Sequence, residues 1–142
     1  MKKKKIILAD DSLLMRGILS DEVRKKGLIP IQAENGAEVL VKLRDHGADV
    51  VMIVLDWNMP VMDGYEALQK VRVKKEFNHI PILMATADGD ERDVLKAIKA
   101  GASGYLVKPF SPKEFSDQIV KCIGETELED LRATSRGIPY SE

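Results

Sequence analysis

Five residues of chemically useful type stand where short apolar runs end: Asp10 and Asp11 after Ile6 to Ala9, Asp56 after Val50 to Leu55, Thr86 after Ile82 to Ala85, and Lys108 after Gly104 to Val107. If those runs are strands of one parallel sheet, carboxylates, a hydroxyl and an ammonium arrive on a single rim. Two carboxylates about 4 Å apart repel by about 4 kcal/mol at an effective dielectric near 20. Either their pKa values rise or a cation offsets the charge, and hard oxygens at a water-accessible rim suit Mg²⁺. A plainer role competes, because Asp11 or Ser12 can simply cap the helix that follows. Taken together, the set suits phosphoryl transfer, which asks a protein chiefly for position and for positive charge on the equatorial oxygens. Mg²⁺ and Lys108 would bring the charge, Asp56 would be the nucleophile that becomes an acyl phosphate, and Thr86 would donate a hydrogen bond to the transferred group.

The elements that must position these residues are legible as an alternation of apolar runs of four to six residues with amphipathic stretches of about a dozen. Strands are expected over Lys5 to Asp10, Leu28 to Ala33, Val50 to Asp56, Pro81 to Thr86 and Gly104 to Val107. Helices are expected between them, with the stripes Met15, Ile18, Leu19 and Val23, then Tyr65, Leu68 and Val71, then Val94, Leu95 and Ile98 facing the sheet. Ala37 to Arg44 supplies a further helix after Asn35-Gly36, and Pro112 opens the last one behind Ser111 as N-cap. Pro30 removes a ladder donor and sends the second strand to an edge, whereas the wholly apolar third strand belongs at the centre. With right-handed crossovers the order is 2-1-3-4-5, a doubly wound, flavodoxin-like α/β sheet whose chain direction reverses between strands one and three, where ligands bind.

Composition narrows the partners. Twenty-two basic and 23 acidic side chains leave a net charge of -1, so no bulk field favours nucleic acid or an anionic membrane. The apolar run behind Lys2 to Lys5 is too short for a secretion signal and none is long enough for a membrane span, so a cytoplasmic protein is expected. The single Cys122 reads as a buried core thiol on an apolar helix stripe, and His46 and His79 read as surface residues without partners. Beyond Gly124 the chain turns acidic and then rich in Ser, Arg, Gly and Pro, so residues 125–142 are expected to form a tail, partly helical or mobile, behind one domain over 1–124.

The motifs Ala9-Asp10-Asp11-Ser12, Leu55-Asp56-Trp57-Asn58-Met59-Pro60-Val61-Met62-Asp63-Gly64, Thr86-Ala87 and Gly101 to Phe110 occur in the order of a response-regulator receiver, and the chain from about 4 to 124 resembles the chemotaxis-type (CheY-like) members of that family. The resemblance implies a stand-alone phosphorylation switch of a two-component phosphorelay, assisting its own phosphotransfer and dephosphorylation without being an enzyme in the usual sense. Asp56 would accept the phosphoryl group from a phosphohistidine on a sensor histidine kinase. Asp11, Asp56 and the Asn58 backbone carbonyl would ligate Mg²⁺, with Asp10 acting mostly through a metal-bound water. The Lys108-Pro109 bond would be cis, a form that costs little before proline. Tyr105 would be the switch aromatic, turning inward as Thr86 moves toward the phosphoryl group and remodelling the surface that binds a downstream protein, such as a flagellar motor switch. Asp88 lies where the family tunes the lifetime of the adduct, and Trp57 either shields the acceptor loop or takes part directly.

Three other readings are disfavoured. A phosphohydrolase of the haloacid-dehalogenase kind needs a second Asp two residues after its nucleophile, where this chain has Asn58. A flavin site would want glycines and backbone donors where this chain has Asp10-Asp11-Ser12. A degenerate receiver kept as a scaffold would not need the complete set of acid, hydroxyl and lysine.

Overall fold

The computed structural model describes residues 4–124 and Leu128. Five parallel strands, β1 (Lys5–Ala9), β2 (Ile29–Ala33), β3 (Val50–Leu55), β4 (Ile82–Thr86) and β5 (Gly104–Val107), lie in the order β2-β1-β3-β4-β5. Each of the four crossovers between successive strands carries a helix, α1 (Leu13–Lys25), α2 (Gly36–His46), α3 (Gly64–Arg72) and α4 (Glu91–Ala100), and α5 (Pro112–Ile123) follows β5. Pro30 is on an edge strand, as its missing donor demands. The central β3 is buried along nearly its whole length. Every helix starts on a polar cap. The side chains of Ser12, Asn35, Asp63, Asp90 and Ser111 each accept a hydrogen bond from a first-turn N–H, and Ser111 forms a reciprocal capping box with Glu114.

The sheet divides the apolar interior in two. Ile7, Ile53, Leu55, Leu68, Val71 and Met84 pack on one face, and Ile6, Leu8, Leu19, Val23, Met52, Val54, Phe115 and Ile119 on the other. Three expectations need correction. The α4 stripe does not face the sheet: Leu95 is 58% and Ile98 46% exposed, and only Ala97 is fully buried. Here the four-residue β5 is the sheet edge, so nothing beyond it among the described residues covers the far flank of α4. In α1 Leu19 and Val23 are buried, whereas Ile18 is exposed and Met15 only half-buried. Cys122 is likewise half-buried rather than enclosed, beside a cleft lined by Asp49, His79 and Ile80, and burial raises its thiol pKa. Leu128, beyond the expected boundary at Gly124, is fully buried in the second core; the rest of the expected tail lies outside the described residues.

Candidate metal and phosphoryl site

The ladder between β1 and β3 pairs Ala9 with Leu55, so the next residue of each strand leaves the sheet beside the other. The Asp56 N–H donates to the Ala9 carbonyl at 2.9 Å and the Asp10 N–H to the Ala33 carbonyl at 3.2 Å, which fixes both backbones. Carboxylate oxygens of Asp10, Asp11 and Asp56 then lie within 4.8 Å of one another. Asp10 and Asp56 are buried and Asp11 is exposed, so the cluster is closed below and open to water on one side. Such a set of hard oxygen donors, with room for retained waters, fits Mg²⁺. The competing capping role belongs to Ser12 alone: its hydroxyl accepts the Met15 N–H at 3.1 Å, while its own N–H donates to Asp10 Oδ1 at 2.9 Å. Among the described residues the Asp11 carboxylate has no hydrogen-bond partner, and it remains available as a ligand.

Lys108 is brought in by the other edge of the sheet. Thr86 and Val107 are register partners, and the Lys108 N–H donates to the Thr86 carbonyl at 2.8 Å. Its ammonium reaches Asp10 Oδ2 at 2.6 Å and Asp56 Oδ2 at 3.0 Å. Burial by itself would lower the lysine pKa; the hydrogen bonds and charges of Asp10 and Asp56 outweigh it, and the net displacement is upward. One ammonium still faces three carboxylates, so negative charge is left over for a cation. The Lys108-Pro109 bond is cis.

Of the remaining residues of the set, Thr86 and Tyr105 make their hydrogen bonds to the Asp88 backbone, and Asn58 meets the cluster through its own N–H. Thr86 is fully buried, but its hydroxyl accepts the Asp88 N–H at 3.3 Å. Tyr105 is half-buried, and its hydroxyl donates to the Asp88 carbonyl at 2.6 Å. Burial first, and then the charges of Asp88, Asp93, Asp56 and Asp90, push the phenol pKa up to about 12, so it stays a donor. The Asp93 carboxyl is also displaced upward, mainly by a hydrogen bond to Asp88. Asn58 is exposed, with its N–H 3.4 Å from Asp56 Oδ1. Trp57 stacks on Tyr65 at 5.0 Å between centroids, and the Lys96 ammonium sits 4.6 Å over the Tyr65 ring.

Some features of the structure go beyond the sequence expectations. The loop after Asp56 holds Val61 at φ 69 while the Met62 N–H donates to the Pro60 carbonyl at 2.7 Å, a strained γ-turn at an exposed β-branched residue. Gly64 is obligatory there, since a Cβ would lie 2.0 Å from the Asp56 carbonyl oxygen. Arg16 is a buried cation on α1, and its place in the stripe of Leu19, Ser20 and Val23 was the available signal. His46 has a partner after all: its Nδ1 is 3.1 Å from the Lys5 ammonium, because the end of α2 returns to the start of β1. His79 is exposed.

The chain is similar to known proteins in sequence and in fold. Residues 6–123 match the family model described as the response regulator receiver domain. Chemotaxis protein CheY1 of Helicobacter pylori is 38% identical over 121 residues, covering 84% of this chain and 97% of that protein. A CheY homologue of Campylobacter jejuni is 36% identical over 121 residues, covering 84% of this chain and 92% of its own. Among solved structures, the chemotaxis response regulator CheY4 of Vibrio cholerae superposes with a TM-score of 0.78 at 31% identity, covering 85% of this chain and 99% of that one.

Proposed function

Because the chain belongs to the response regulator receiver family, we propose that it is a phosphorylation switch whose acceptor is Asp56. The observation that carries the reading is the excess of negative charge at the carboxyl ends of β1 and β3, bridged by Lys108 and open to solvent at Asp11. Asp11, Asp56 and the Asn58 carbonyl would hold Mg²⁺, with Asp10 behind a metal-bound water; the ion supplies charge neutralisation that lets a carboxylate meet an anionic donor. A carboxylate oxygen of Asp56 attacks phosphorus, the P–N bond of a sensor kinase's phosphohistidine breaks, and the imidazole leaves. Lys108, already between Asp10 and Asp56, moves its hydrogen bond onto a phosphoryl oxygen. Thr86 gives up the Asp88 N–H to donate to another, and Tyr105 leaves the Asp88 carbonyl as the loop follows. Asp88, beside both, tunes how long the adduct lasts.

The exposed Leu13, Leu14 and Ile18 on α1 lie next to the acid rim and offer an apolar landing for the kinase domain that delivers the group. The exposed Leu95, Ile98 and Val107 of α4 and β5 would form the output surface, and the chemotaxis names of the relatives favour a flagellar motor switch as its target. Incubation with acetyl phosphate should add one phosphoryl group by mass in the presence of Mg²⁺, none with excess chelator, and none in Asp56→Asn. Steady hydrolysis of phosphate esters without an adduct would overturn the proposal.

A further inference from the structure

Arg16 is buried to 6% exposure on a helix that otherwise turns apolar and small residues inward, and a buried guanidinium is kept only where its donors are met. Its Nη1 donates to the backbone carbonyl of Asp10 at 2.7 Å, its Nε donates to Gln32 Oε1 at 3.0 Å, and its Nη2 lies 3.7 Å from Glu34. Gln32 is itself oriented, since its Nε2 donates to the buried Ser20 hydroxyl at 3.0 Å. The planar fork is thus held by α1 and β2, and it grips the peptide that joins Asp10 to Asp11. We infer that Arg16 is a positioning residue: it fixes the Asp10–Asp11 peptide so that both carboxylates face one cation. The inference rests on the proposal that these two acids serve a divalent ion, and it makes a prediction opposite in sign to simple electrostatics. A cation beside a cation site should weaken binding, so its removal would tighten it; loss of the clamp weakens it.

Calorimetric titration of the whole chain with MgCl₂ separates the two. Arg16→Met and Arg16→Lys should both bind Mg²⁺ about tenfold more weakly, the usual effect of losing a group that orients ligands. Lysine keeps the charge but lacks the fork, and so does not rescue. Gln32→Leu, which leaves the charge and the Asp10 contact but removes the anchor, should weaken binding about threefold by the same logic, and it serves if the Arg16 variants do not fold by circular dichroism. In the acetyl phosphate reaction the Mg²⁺ concentration for half-maximal rate should rise in step while the rate at saturating Mg²⁺ is kept. Tighter or unchanged Mg²⁺ binding in Arg16→Met, wild-type binding in Arg16→Lys, or unchanged binding in Gln32→Leu would each overturn the inference. Absence of binding to the wild-type chain would instead remove the metal proposal beneath it.

Discussion

The two ends of the sheet carry lysine-centred clusters that resemble each other and do different things. At the carboxyl end Lys108 lies between Asp10 and Asp56, with Asp11 close by. At the amino end Lys5 lies 3.4 Å from Asp49 and 3.1 Å from the His46 imidazole. Both lysines are largely covered, with 18% and 20% of their side chains exposed. Burial and ion pairing therefore do not tell a site from a brace; charge balance does. The amino-end group can be neutral as it stands, whereas the carboxyl end has more acid than its lysine can neutralise. The amino end also holds a buried oxygen, Asp49 Oδ1, without a hydrogen-bond partner among the described residues, so an imperfectly satisfied group is not by itself a sign of chemistry either.

The comparison can be broken in four ways. Lys108→Met leaves two buried carboxylates facing each other and should cost about 3 kcal/mol of stability without metal, with most of it recovered on adding Mg²⁺; equal losses with and without Mg²⁺ by urea denaturation would make Lys108 a brace like Lys5. Mg²⁺ at ten times its dissociation constant should stabilise the wild-type chain by about 1.4 kcal/mol, and Asp11→Asn should remove most of that shift in thermal midpoint while leaving the amino end unaffected. Lys5→Met should cost only about 1 kcal/mol and should leave the Mg²⁺ response and the phosphoryl adduct intact. The last test is alkaline. Tyr105 is raised from 10.0 to about 12 in the fold, so its protonated form supports the fold fully below pH 10 and that support is lost as pH climbs through about 12. Lys108, also raised, works in the same direction. In the ultraviolet tyrosinate titration one phenol should ionise late, and Tyr105→Phe should abolish that phase; a single early transition for all tyrosines would remove the Tyr105–Asp88 contact from the account.

How much of this was legible depends on whether the signal was local. Asp10, Asp56, Thr86 and Lys108 could be placed on one rim because each ends an apolar run and parallel strands bring such ends together. Pro30 disclosed its edge because a missing N–H has only a few tolerable places. Periodicity in α4 marked an apolar stripe truthfully, but Leu95 and Ile98 face solvent because the sheet stops at β5, and no window on α4 contains that fact. The same holds for His46 and Lys5, separated by 41 residues, and for the Arg16 fork, whose acceptors lie on another strand and a backbone carbonyl. Cys122 looked enclosed because its neighbours on the stripe are apolar, yet the stripe ends at a cleft. The strand-end position of Thr86 suggests a hydroxyl aimed at a phosphoryl group, while in this structure it caps its own turn.

The order of the strands has a consequence in time. Lys108 and Asp10, which meet at 2.6 Å, are 98 residues apart in the chain, and Asp56 is 52 residues from Lys108. During synthesis the two aspartate-bearing strands emerge long before the lysine that balances them, and the strand that carries it pairs only with β4. A growing or half-folded chain therefore carries the acids without the assembled rim. The charge-balanced rim is therefore complete only when the last strand is in place.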